Sequence, residues 1–192
     1  MNFISDKKIL LASKSPRRKQ LLEDAGFSFT VIKSKEVDES IPEKITGKDA
    51  AIFLADLKAE AYKNEIQKNT ILITADTIVC LKDKILNKPK DYKDAFDILQ
   101  LLSGKEHKVI TGVSIRSVDK QISFSDETCV RFKKLSTEEI DYYITNYKPY
   151  DKAGAYGIQE WIGYIGITEI NGSYYNVMGL PIQKIYENLK NF

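Results

Sequence analysis

Strand-like apolar runs alternate with stripes of apolar residues at helical spacing, and this alternation is what most restricts the fold. The apolar runs cover residues 9–13, 27–32, 71–80, 109–117, 122–132 and 164–170. The helical stripes cover 16–25, 48–64, 92–102, 137–147 and 180–189. This pattern predicts an α/β fold, with flanking helices burying one face against a sheet. Asp119 and Lys120 lie between two apolar runs and read as a polar hairpin turn. A hairpin pairs its strands antiparallel, so a mixed sheet is expected. The 192 residues suffice for one compact domain or for two small lobes sharing a sheet. No Pro/Gly/Ser-rich linker, low-complexity tract or internal repeat marks a boundary. Residues 1–192 are therefore expected to form a single domain, with two lobes on a continuous sheet left open.

The first strand-to-helix junction carries the first sign of function. Ile9-Leu10-Leu11-Ala12 stops at Ser13-Lys14-Ser15-Pro16, and Arg17-Arg18 follow. Ser15 suits a helix N-cap and Pro16 the first helical position. Leu21, Leu22 and Ala25 then recur at helical spacing, and Gly26 is a plausible stop. Arg17 and Arg18 thus fall in the first helical turn, where the helix dipole disfavours each cation by roughly 0.3–1 kcal/mol. Two breaches in succession point to a compensating anion, and free N–H groups with two guanidiniums make a phosphate cradle. The competing reading leaves both arginines solvated.

Composition excludes several function classes. A formal net charge of +2 is too small for a general nucleic-acid binder, so any positive field is local and suits a small anion. Cys80 and Cys129 lie in apolar runs without metal or redox spacing and read as reduced, buried thiols. No run approaches the length of a membrane span, and no long apolar leader opens the chain, so a cytoplasmic protein without a membrane partner is expected. His107 is the only histidine, which excludes a multi-histidine metal site. A Ser-His-Asp triad would need His107, and no Gly-x-Ser-x-Gly accompanies it. His107 follows Ser103-Gly104-Lys105-Glu106, where a loop or cap role is expected, and Gly104-Lys105 lacks the remainder of a P-loop.

Several polar residues break the pattern around them. Lys58 falls inside the stripe of Ala51, Leu54, Ala55, Ala59 and Tyr62. It either snorkels, with its stem on the core, or points into a cleft. Asp76 interrupts the apolar run 71–80, where a carboxylate is costly to bury unpaired. A salt bridge would satisfy it, and a metal-ligand or general-base role is favoured. Glu36, Asp38 and Glu39 form an acidic cluster that is either a solvated loop or a pair of Mg²⁺ ligands. Lys88 precedes Pro89 in a loop, and Asp91 caps the next helix. The stretch Ala153-Gly154-Ala155-Tyr156-Gly157-Ile158-Gln159 is either a tight connection or a place where a ligand nears the backbone. Gln159, both donor and acceptor, suits the edge of a base. Residues 161–165 (Trp-Ile-Gly-Tyr-Ile) fit either core or an exposed apolar interface.

In order and spacing these segments resemble the Maf family of nucleotide pyrophosphatases over almost the whole chain. The resemblance runs from Leu11-Ala12-Ser13 and Ser15-Pro16-Arg17-Arg18 to Val37-Asp38-Glu39, Leu54-Ala55, Lys58-Ala59, Ala75-Asp76-Thr77 and Lys88-Pro89. It continues through Leu102-Ser103-Gly104, His107, Thr111-Gly112-Val113, the stretch from Asp151-Lys152 to Gln159, Gly172-Ser173-Tyr174 and Val177-Met178-Gly179-Leu180-Pro181. It implies a mixed-sheet α/β fold with two lobes around a cleft, similar to inosine triphosphate pyrophosphatases. It implies hydrolysis of a nucleoside triphosphate to the monophosphate and pyrophosphate with a divalent metal, Mg²⁺ or Mn²⁺. Asp76 matches the family's catalytic proton acceptor. Arg17, Thr77 and Gln159 match the positions that separate subgroups and look like the subgroup acting on dTTP and UTP. Modified pyrimidine triphosphates, a homodimer and a role in septum formation, with or without hydrolysis, are implied more weakly.

The residues and the resemblance converge on one set of expected roles. Ser13, Arg17 and Arg18 bind phosphate, and Lys58 and Lys88 neutralise the leaving pyrophosphate. Asp76 and Glu39 hold the metal, with Asp76 also serving the attacking water. Thr77 and Gln159 contact the sugar or base.

Overall fold

The computed structural model describes residues 7–192. Its strands are β1 (Lys8–Ala12), β2 (Phe29–Ile32), β3 (Thr70–Leu81), β4 (Lys84–Leu86), β5 (Glu106–Arg116), β6 (Gln121–Phe132) and β7 (Ile167–Asn171). Its helices are α1 (Pro16–Asp24), α2 (Gly47–Glu60), α3 (Tyr92–Leu102), α4 (Thr137–Tyr147), α5 (Trp161–Gly166), α6 (Tyr174–Met178) and α7 (Ile182–Lys190), with a 3-10 turn at Ala153–Ala155. The strands form a seven-stranded sheet in the order β2-β1-β3-β5-β6-β7, with β4 paired to β3. β1 runs parallel to both neighbours, with Leu10 opposite Thr30 on one side and Leu72 on the other. β4 and β7 run antiparallel to β3 and β6. The sheet is therefore mixed, as the hairpin predicts. The Ser117 N–H donates to the Lys120 carbonyl at 2.8 Å and closes the expected turn around Asp119 and Lys120.

The chain divides into two compact units. The first comprises the residues up to Asp76 with Thr111–Asp126 and Gly179–Phe192; the second comprises Thr77–Ile110 and Glu127–Met178. In the first unit, α2 buries Ala50, Ala51, Leu54, Ala55 and Ala59, one apolar face at helical spacing. Small side chains let α2 lie close to the sheet, and Gly112 on β5 takes this to its limit. A Cβ there would sit 2.1 Å from the Ala51 carbonyl oxygen. Another cluster joins Ala12, Ala59, Tyr62 and Leu72.

In the second unit, α3 and α4 supply Ala95, Leu99, Leu102, Ile140, Tyr143 and Ile144 to a core shared with Val79, Val109, Val130 and Phe132. Both helices start at side-chain caps. Asp91 accepts from the Asp94 N–H at 2.8 Å, and Ser136 and Glu139 form a reciprocal capping box. His107 departs from expectation. It lies on β5, is buried, and pairs through Nε2 with the Tyr156 hydroxyl at 2.7 Å. The strand begins at Glu106, earlier than the apolar run suggests, because His107 packs on the rings of Phe132 and Tyr156 and behaves as an inward-facing aromatic. Residues 161–166 form α5, so the strand expected from 164 starts at 167. Ile162 of that helix is core, whereas Tyr164 is 79 % exposed. Cys80 is buried and Cys129 half-buried, and both thiols are free. Among the described residues no helix is long and apolar enough to cross a membrane.

Candidate active site

The β1–α1 junction has the expected local geometry. Ser15 occupies the N-cap and Pro16 opens the helix, but the Ser15 side chain makes no capping hydrogen bond. Instead the Ser15 N–H donates to Ser13 Oγ at 3.2 Å. The first turn contains no acidic residue to answer the helix dipole. Arg17 and Arg18 follow in that turn and differ in environment. Arg18 points inward, with Nε donating to the Gly179 carbonyl and Nη1 to the Ala75 carbonyl, both at 2.8 Å. Burial lowers its pKa, Asp76 raises it, Arg17 lowers it and Glu39 raises it again. The guanidinium is thus a brace between the first turn of α1, the Gly179 turn and the backbone next to Asp76. That planar fork suits arginine and not lysine.

Asp76 lies on β3, where side chains alternate between the two faces of the sheet. Leu72, Thr74 and Asp76 share a face. Thr74 Oγ1 donates to the Ala55 carbonyl of α2 at 2.7 Å, and Asp76 accepts from Lys58 on the same helix. Asp76 is 8 % exposed. The Lys58 side chain is 19 % exposed, and its ammonium also meets Glu39 Oε1 at 3.0 Å. Lys58 therefore does not snorkel: its ammonium bridges one carboxylate on β3 and one in the loop after β2. The Glu39 side chain is 46 % exposed, so one carboxylate of the pair is buried and the other faces water.

This arrangement bears on whether a metal fits. Among the described residues no group of three or more His, Cys, Asp and Glu is placed to hold a metal ion. Asp76 and Glu39 converge on one positively charged group, so both carboxylates reach a single cation. Mg²⁺ and similar ions are commonly held by one or two carboxylates, with waters and substrate phosphates completing the shell. The donor set fits an ion shared with a phosphate ligand and not a protein-only cage.

The second unit carries the other three expected site residues. Thr77 is half-buried on β3, and Lys88 is exposed in the loop between β4 and α3. Gln159 is half-buried, yet its Oε1 is wholly buried with no hydrogen-bond partner. Unpaired buried acceptors are rare because each costs about 1–3 kcal/mol.

The model of the Maf family, described as Maf-like protein, matches residues 8–192. The chain belongs to the Maf family. A Parabacteroides distasonis protein named dTTP/UTP pyrophosphatase is 52% identical over 185 residues, covering 96% of each chain. A Bacteroides thetaiotaomicron protein of the same name is 50% identical over 95% of this chain and 94% of its own. A Porphyromonas gingivalis protein, also so named, is 48% identical over 96% of this chain and 94% of its own.

Some polar groups of this Maf chain gave no sign in sequence. Tyr143 fits the apolar stripe of α4 and reads as core, yet its hydroxyl donates to Glu160 and accepts from the Gly157 N–H at 3.0 Å. Lys152 is buried and pairs with Glu160 at 3.2 Å. An in-strand aspartate or an in-stripe lysine breaks a pattern, whereas a tyrosine in a helical stripe does not.

Proposed function

We propose that this protein hydrolyses dTTP and UTP to the nucleoside monophosphate and pyrophosphate. The observation that carries the reaction class is the buried Asp76 on β3, held by Lys58 beside Glu39 and flanked by the braced Arg18. The relatives that share about half of its residues, each named dTTP/UTP pyrophosphatase, supply the substrate class.

In this reading water attacks the α-phosphorus and the bond to the α,β-bridging oxygen breaks. Asp76 accepts the water proton. Lys58 supplies positive charge beside that carboxylate and, with Lys88, neutralises charge developing on the leaving pyrophosphate. Ser13, Arg17 and the uncapped first turn of α1 hold phosphate oxygens. Arg18, whose Nε and Nη1 donate to backbone carbonyls, acts by fixing the Ala75–Asp76 backbone beside the phosphate-binding turn. Asp76 and Glu39 would hold Mg²⁺ or Mn²⁺, which when bound withdraws charge from phosphate oxygens and acidifies water. Gln159 reads the base. Its amide offers the acceptor and donor that a pyrimidine ring N–H and an adjacent carbonyl complement. Thr77 assists at the sugar or base.

The test is pyrophosphate release from dTTP, UTP, the purine triphosphates and modified pyrimidine triphosphates, with Mg²⁺ or Mn²⁺. Turnover of dTTP and UTP well above the purines is expected. Binding without pyrophosphate release under every condition would leave a nucleotide-binding protein and overturn the enzyme.

A further inference from the structure

The segment from Lys152 to Glu160 is tied down on both sides of Gln159. Lys152 is buried and pairs with Asp151 Oδ1 at 2.7 Å and Glu160 Oε1 at 3.2 Å. The Tyr156 hydroxyl meets His107 at 2.7 Å. The Gly157 N–H donates to the Tyr143 hydroxyl at 3.0 Å, and that hydroxyl donates to Glu160 Oε2. The Glu160 N–H donates to the Gly157 carbonyl at 3.0 Å. Tyr143 itself is fully buried on α4. One phenol therefore bridges the residues on either side of Ile158 and Gln159, taking a backbone N–H from one and giving its proton to the side chain of the other. Gly157 leaves room for the Glu160 carboxylate, since a Cβ there would lie 2.7 Å from Glu160 Cδ.

The consequence falls on Gln159. Its flanks are fixed by buried hydrogen bonds, while its own Oε1 is buried and unpartnered. The amide is thus held in place by its surroundings and not by a contact of its own. We propose that Tyr143, acting with Glu160, is a positioning residue that fixes the aim of the Gln159 amide and so sets the preference for pyrimidine over purine triphosphates. This rests on the reading of Gln159 as the base-reading group. Because burial and the Glu160 carboxylate both raise the Tyr143 pKa, the phenol stays protonated and remains a donor at any working pH. A site that recognises polar groups discriminates through fixed hydrogen-bond geometry, so loosening the frame costs selectivity before it costs chemistry.

The experiment compares Tyr143→Phe, Gln159→Ala and the double variant on dTTP and dGTP, with folding followed by thermal melting. Gln159→Ala is expected to lower the dTTP-over-dGTP ratio of kcat/KM by roughly 10- to 100-fold. Tyr143→Phe keeps the ring stacked on Tyr147 and is expected to lower the same ratio by about tenfold, mainly through a higher KM for dTTP with kcat little changed. The double variant should be no worse than Gln159→Ala alone, because the two act through one contact. An unchanged ratio in Tyr143→Phe, or additive losses in the double variant, would overturn the positioning role while leaving the Gln159 reading intact. An unchanged ratio in Gln159→Ala would remove the base-reading role itself, and the positioning role with it. If Tyr143→Phe fails to fold, Glu160→Gln carries the same comparison, with the same two results deciding it.

Discussion

Lys58 and His107 show how burial gives single residues opposite consequences. Lys58 is half-buried with partners: its ammonium lies between Asp76 and Glu39. Removing Lys58 leaves the buried Asp76 carboxylate without its cation; breaking a fully buried pair costs about 3–5 kcal/mol, and the partial exposure of Lys58 and Glu39 lowers that here. Lys58→Ala should therefore lose both stability and turnover. Lys58→Met combined with Asp76→Asn should recover most of the stability and none of the activity, read by denaturant melts beside pyrophosphate release. His107 is buried without a charge partner, and burial lowers its pKa from 6.5 to about 4. The unfolded chain takes up the proton near pH 6.5 while the folded protein resists until about pH 4. The stabilisation is thus fully present above pH 6.5 and is lost as the pH falls through that window. At about 1.36 kcal/mol per pH unit the loss approaches roughly 3 kcal/mol. Melting midpoints of wild type and His107→Gln, taken from pH 7 to pH 4, should converge on acidification. A wild-type pH slope no steeper than the variant's would contradict this.

At the scale of elements, legibility followed length and capping. α3 and α4 fall where the periodicity places them because each is three turns long and opens on a side-chain cap, Asp91 or Ser136. β4, α5 and α6 are three, six and five residues long, too short for a period to declare itself, and they form because neighbouring elements hold them. The site divides along the same line. Lys58 and Asp76 were visible because each offends an apolar pattern. Tyr143, Lys152 and Glu160 were not, because their meeting depends on how α4 packs on a later segment. Gly112 belongs to the same class. In sequence it is one glycine in a strand; in the fold it lets α2 touch β5 where a Cβ would meet the Ala51 backbone at 2.1 Å. Backbone cannot rotate out of the way as a side chain can, so Gly112→Ala must push α2 from the sheet. We expect destabilisation at or above the usual overpacking range of about 1–3 kcal/mol. Because Lys58 rides on α2, turnover should fall as well. A variant with wild-type melting temperature would show that the contact relaxes freely.

Across the whole molecule, stability and catalysis draw on the same few groups, so a variant must remove one and spare the other. Asp76→Asn is that variant. The amide matches the carboxylate in shape, still accepts a hydrogen bond from Lys58, and leaves that ammonium its ion pair with Glu39 at 3.0 Å. The fold should persist with a modest loss of stability. Proton acceptance by Asp76 is lost outright, and turnover should fall by about 10²–10⁴-fold, the usual contribution of a general base. Nucleotide binding should weaken but survive, because the phosphate contacts assigned to Ser13, Arg17 and the α1 terminus remain and Glu39 with the amide oxygen at position 76 still offers the metal two oxygens. A ligand at a hundred times its Kd stabilises the folded state by about 2.7 kcal/mol. For a chain of this length that is a rise in Tm of roughly 5–11 °C. Asp76→Asn with excess dTTP and Mg²⁺ should therefore show a clear thermal shift and almost no pyrophosphate. The two readings separate what one activity assay confounds. Loss of the shift together with turnover would make Asp76 a binding or structural group, whereas a retained shift with near-normal turnover would place the proton acceptor elsewhere in the molecule.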